Sequence, residues 1–149
     1  MASGMYAKAK RKIQSREVGD SPIDLLSDTI RVALVQGTPA TPDASAFNTH
    51  EFVSDVVSAG NTLNAVRGEL GTKSYPNAAG EAGAFDAADT VCSTVAAGSD
   101  IVALVLYKFG TGDSDSPVIA WIDGFTPVTP NGGNITVKWA GTPNYIWRI

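Results

Sequence analysis

The chain holds one histidine, His50, and one cysteine, Cys92. A single histidine excludes any multi-histidine metal site. It also leaves only one imidazole for a Ser-His-Asp relay, which needs a positioned nucleophile beside its base. His50 sits in NTHEF, and no nucleophile-elbow pattern occurs anywhere in the chain. A surface or turn histidine is the better reading. Cys92 lies in DTVCSTVA between Val91 and Val95. A reactive thiol needs an electropositive, partly open setting, so this cysteine reads as a small buried hydrophobe on a strand. With one cysteine there is no intrachain disulfide.

Carboxylates offer the remaining chemistry. Asp113 and Asp115 in GTGDSDSP could present oxygens to Ca²⁺, but the EF-hand offsets are absent. A solvated hairpin turn is the simpler assignment. Glu51/Asp55 and Asp86/Asp89 are carboxylate pairs, as a glycosidase would need, yet no aromatic-lined cleft is signalled around them. The GTG at 110–112 lacks the lysine of a phosphate loop. No catalytic group, cofactor or metal is expected, and the chain does not read as an enzyme.

The framework that would position these groups is rich in strands. At 149 residues the chain reads as a single body. It is long enough to bury roughly 68–70 % of its unfolded surface. Charged residues are 17 % of the chain, against about 25 % in typical domains. A surface so poor in charge suits packing against neighbours. The formal net charge is −4, which argues against direct nucleic-acid binding. No run reaches the ~18 apolar residues of a membrane span. The N-terminus has no apolar segment after its basic one, so it does not read as a signal peptide.

Five of the eleven basic residues fall in the first sixteen positions: Lys8, Lys10, Arg11, Lys12 and Arg16. Tyr6, Ala9 and Ile13 recur at helical spacing, which predicts a short amphipathic helix or arm over 5–16. Residues 1–20 are expected to form this arm and 21–149 a β-domain. Tyr6, Lys8, Lys10, Arg11, Lys12 and Ile13 are the expected partner-binding residues, reaching an acidic surface.

Downstream, Ile23 to Ser27 can make a helical turn and Ile30 to Val35 a strand. Residues 38–50, with two prolines and small polar residues, read as a loop. Glu51 to Gly71 suggests a short helix and then a strand. Residues 72–90 form a long connection with at most one strand near Phe85. Asp100 to Phe109 is a buried central strand, and Pro117 to Asp123 pairs back on it as a hairpin. Asn134 to Trp139 alternates apolar and polar residues, and Tyr145 to Ile149 makes the last strand. The fold expected is mainly β: an antiparallel β-sandwich or jelly-roll-like barrel with a short N-terminal helix or arm. Trp121, Trp139, Tyr145 and Trp147 read as core rather than as a ligand platform.

Several segments carry a resemblance. YAKAKRKI and SPIDLLSDTIRVALV resemble the "VYAKAK" and "IDLLTDTIKVALV" openings of a family of small structural proteins from tailed phages. THEFVSDV, AFDAADTV and ALVLYKFGTGDSDSPVIAWID are similar to its "HEFLSDV", "FDAADVT" and "ALVIYKDTGTAATSRLIAYID". PVTPNGGNITVKW is close to its "PVTPNGGDITVTW". The matches are colinear over nearly the whole chain. They depart from the family at GDSP before Ile23 and in the Ala/Gly-rich AGEAGAFDAAD. The resemblance implies a non-enzymatic virion protein. The role it suggests is a capsid decoration (cement) protein on the outer head surface, trimeric and bound to the major capsid protein. A neck, tail or tail-fibre attachment component is the alternative, and a virion carbohydrate-binding module a third.

Overall fold

The computed structural model describes residues 3–15, 22–76, 83–140 and 146–148. Its main sheet has five strands, all paired antiparallel. In spatial order they are β1 (Gly4–Met5), β7 (Val118–Ile122), β6 (Ile101–Lys108), β2 (Ile30–Gln36) and β3 (Thr62–Glu69). The central strands IRVALVQ and IVALVLYK are near-continuous apolar runs because both of their faces are covered. Ile30, Val32, Ala33, Leu34 and Val35 are all fully buried.

Two small ribbons complete the β structure. β5 (Thr90–Cys92) pairs with β8 (Ile135–Val137), and β4 (Ala84–Phe85) with β9 (Trp147–Arg148). The β5–β8 ribbon packs on the main sheet beside β3. A Cβ built on Gly68 would come within 3.1 Å of Thr90, Cys92 and Val32 side chains. The whole is mainly β and sandwich-like, with a short N-terminal helix, as the strand pattern predicts.

Three short helices gather on the β7 side: α1 (Ala7–Gln14), α2 (Ala44–Thr49) and α3 (Val53–Ser58). Residues 38–50 are therefore not all loop. The Asp43 side chain accepts from the Ala46 N–H at 2.8 Å and caps α2. Asp55 plays a similar part for α3, accepting from the Glu51 and Phe52 N–H groups at 2.8 and 2.9 Å. Phe52 then bridges to Pro117, and the Val118 N–H bonds the Glu51 carbonyl. This stitches the helical region to the start of β7.

The division into an arm over 1–20 and a domain over 21–149 is corrected here. β1 is a strand of the main sheet, pairing Gly4 with Trp121 and Met5 with Ala120. Ser3 Oγ accepts from the Asp123 N–H at 3.0 Å, and Trp121 Nε1 donates to the Asp123 carboxylate. Residues 16–20, including Arg16, lie outside the described residues.

Candidate partner-binding surface

The six residues singled out at the N-terminus divide into two groups. Tyr6 is 0 % exposed and Lys12 is 3 % exposed. Ile13 is half-buried against the core. Lys10 and Arg11 are exposed, and Lys8 is half-buried. The helix thus lays Tyr6, Ala9 and Lys12 inward and offers outward Lys10, Arg11, Gln14 and the edge of Lys8. Tyr6 and Lys12 are not free to meet a partner, which corrects the surface assignment. The reason is helical phase: positions 9, 12 and 13 share one face with the N-cap residue Tyr6.

What Lys12 meets is an internal acid. Its Nζ lies 3.1 Å from Glu51 Oε1, while Lys8 Nζ donates to Glu51 Oε2 at 3.0 Å. One carboxylate therefore anchors two of the helix's three lysines. Lys8 first, and then Lys12, hold Glu51 below the ordinary carboxylate range. An acidic partner for two of the basic residues is thus supplied by the chain itself. Sequence shows both charges but not their pairing, because 43 residues separate Lys8 from Glu51.

His50 ends α2 and stacks on Tyr6, with ring centroids 6.0 Å apart. Phe47 packs on Tyr6 from 5.1 Å. The Tyr6 hydroxyl and His50 Nδ1 are both buried with no hydrogen-bond partner among the described residues. Burial pushes the Tyr6 hydroxyl well above its ordinary pKa. His50 is part of an aromatic joint, and its Nδ1 meets no hydroxyl or thiol in a hydrogen bond among the described residues.

The other candidate groups are occupied structurally. Asp115 accepts from the Thr111 N–H, the Gly112 N–H and the Thr111 hydroxyl at 2.6–3.0 Å. Asp113 faces Arg67 at 3.6 Å. Both belong to a one-turn 3₁₀ segment, Asp113–Asp115, that closes the β6–β7 hairpin. No group of three or more potential metal ligands occurs among the described residues. Cys92 is fully buried, and burial pushes its thiol pKa up.

Nor do the tryptophans form an exposed platform. Trp121 is buried, and Trp147 stacks on Phe85 with centroids 4.7 Å apart. Trp139 is half-buried, with Nε1 donating to the Thr90 hydroxyl at 3.0 Å. Tyr145 lies outside the described residues. No helix among the described residues is long and apolar enough to cross a membrane. Comparison with protein-family models, with curated proteins and with solved structures returned no match to this chain.

Proposed function

We propose that this chain is a non-enzymatic structural protein of a tailed-phage virion, acting as a capsid decoration (cement) protein on the outer head surface. The observation that carries the reading is the colinear set of phage-like segments. They fall on the scaffold: α1, β2, the α2–α3 corner, β4–β5, the β6–β7 hairpin and β8. A protein of this kind does no chemistry. It bridges neighbouring capsomers, and many weak contacts repeated by symmetry restrain the shell from opening.

Two further features support the reading. The chain is sparing in charge, and Lys10 and Arg11 project from a helix whose other face is fixed to the body. Rigid presentation of two cations lowers the ordering cost of binding an acidic capsid patch. Major capsid protein is then the partner, and a homotrimer is the assembly that fits a three-fold site on the lattice.

Cryo-electron microscopy of the particle carrying this chain tests the proposal. Clusters of density repeated over the head lattice are expected. Density confined to the neck, tail or fibres refutes decoration, and absence from the particle refutes a virion role altogether. Exchanging Lys10 and Arg11 together for glutamate should lower occupancy on the head while the variant still folds, as circular dichroism would read. Unchanged occupancy would remove the basic helix from the interface.

A further inference from the structure

The β5–β8 ribbon is only two strands wide, whereas the sheet beneath it has five. Where the ribbon ends, a slot of about 480 Å³ opens beside β8. That volume lies within the roughly 300–1,000 Å³ range of binding clefts. Its floor is one row across three strands of the main sheet, Leu34 paired with Leu104 and Leu104 with Ile122. Phe125 and Val128 form the far wall, and Val128 is 43 % exposed. The near wall is every residue from Ile135 to Trp139 in turn.

Consecutive residues of a strand can all line one slot only if it runs along the strand's edge, because neighbouring side chains point to opposite faces. β5 covers the other edge, through the pairs Thr90–Val137, Val91–Thr136 and Cys92–Ile135. In an antiparallel pair, alternate residues turn their N–H and C=O away from the partner strand. Among the described residues, no backbone hydrogen bond reaches β8 from that outer side.

We propose that this slot receives an extended polypeptide strand from a partner protein, which pairs with the free edge of β8 and lays alternate apolar side chains over Leu104 and Ile122. The proposal stands apart from the virion reading and holds whatever particle or complex the chain belongs to. Two features choose this occupant. A small apolar molecule could cover the floor, but only another backbone repeats donors and acceptors at the strand's rise of about 3.3 Å. Lys138, exposed on the same wall, has no ion pair among the described residues. It favours an acidic residue on the incoming strand, at a position facing solvent.

A second copy of this chain is a poor donor. Its long free edge, β3, is bulged: Ala33 pairs with Arg67 but Val35 with Leu63. Within the bulge, Asn64 Oδ1 accepts from the Val66 N–H at 2.9 Å, and Arg67 Nη1 donates to the Asn64 carbonyl at 2.6 Å. A strand distorted this way, with its backbone groups met by its own side chains, is a weak template for further pairing.

The test uses the intact protein and an array of fluorescein-labelled octapeptides that alternate Val, Leu, Ile, Phe or Trp with Thr or Glu. Members with a Glu that can face Lys138 are expected to bind saturably. Amide shifts in the protein should then concentrate at 135–139 and 122–125. N-methylation of alternate peptide amides in one register should weaken binding about tenfold, the loss of main-chain hydrogen bonds, with little effect in the other register. Lys138→Glu, an exposed change, should weaken it about fivefold. Four results overturn the proposal. They are no binding by any member, equal loss in both N-methyl registers, displacement of the peptides by a dimer of this chain seen in sedimentation, and shifts located away from β8.

Discussion

The ammonium of Lys12 meets Glu51 Oε1 at 3.1 Å from a side chain that is only 4 % exposed. Lys8 holds the other oxygen of the same carboxylate from the surface. The basic N-terminal helix is thus fastened at its inner face to the turn that leads into α3 and β7. Removing the acid would take a charged partner at 3.1 Å from a buried ammonium, which costs more than losing an exposed pair. Glu51→Gln should destabilise the fold by about 2–3 kcal/mol, short of the full ~3–5 kcal/mol for a fully buried pair because Glu51 is partly solvated. The urea midpoint of the variant reads this directly. Lys8→Ala, which breaks only the exposed half, should cost about 0.5 kcal/mol. Equal losses in the two variants would show that Lys12 does not depend on Glu51.

Acid should loosen the same joint. Glu51 is held below its ordinary pKa by Lys8 and Lys12. Burial alone would raise Asp55, but the Phe52 and Glu51 N–H groups outweigh it and its pKa is lowered too. A carboxyl depressed in the folded state binds more protons when the chain unfolds, so stability rises with pH across that range. The contribution is therefore complete above the ordinary carboxylate range of about 4–4.5 and is lost as pH falls through it toward the folded values. Denaturant midpoints measured from pH 7 to 3 should fall with acid. The fall should be shallower in Glu51→Gln, and an identical slope would remove Glu51 from the joint.

Deleting residues 1–16 to test the basic helix would confound two effects. The deletion takes β1 from the sheet edge and Tyr6 from the core. The Lys10 and Arg11 exchange proposed above leaves both in place.

Gly68 marks where the small ribbon touches the main sheet. A Cβ there would lie 2.6 Å from Thr90 Cγ2, 2.9 Å from Cys92 Sγ and 3.1 Å from Val32 Cγ1. Thr90 and Cys92 are buried β5 residues and cannot swing away. Gly68→Ala should therefore cost about 1–3 kcal/mol, as overpacking does in a filled core. Thermal unfolding measures it. Pairing it with Cys92→Ala should recover part of the loss, because the sulfur is one of the crowded atoms. No recovery would place the clash elsewhere.

How far the sequence reached depended on the range of the contacts. β2, β6 and β7 were legible because long β-branched runs bounded by turn residues have no other stable use. α1 was legible from Tyr6, Ala9 and Ile13. α2 was missed, although Pro42-Asp43 followed by three small or apolar residues is a helix start, because Phe47 alone gave no periodicity. The ribbons β5–β8 and β4–β9 join segments more than forty residues apart, and alternation says that a strand forms without naming its partner. The candidate surface was half-legible for the same reason. Charge clustering pointed to the helix, but only the fold shows that Lys12 turns inward to Glu51 while Lys10 and Arg11 face out. The slot beside β8 left no sequence signal beyond the alternation of Ile135, Val137 and Trp139.

Two of the three tryptophans, Trp121 and Trp139, should respond differently to truncation. Trp121 is fully buried on β7, and its Nε1 donates to Asp123, which also holds Ser3 at the edge of β1. Trp121→Ala should cost the full ~3–5 kcal/mol of an aromatic core deletion. Trp139 lies just past β8, half-buried, with Nε1 on Thr90. Trp139→Phe keeps most of the ring contact and loses that one hydrogen bond, so about 1 kcal/mol is expected. Trp139→Ala removes the ring as well and should cost more, yet less than the loss at Trp121. Urea unfolding of the three variants orders them. If Trp139→Ala left the midpoint unchanged, the ring would not be part of the ribbon's packing, and it would belong instead to the surface open to a partner.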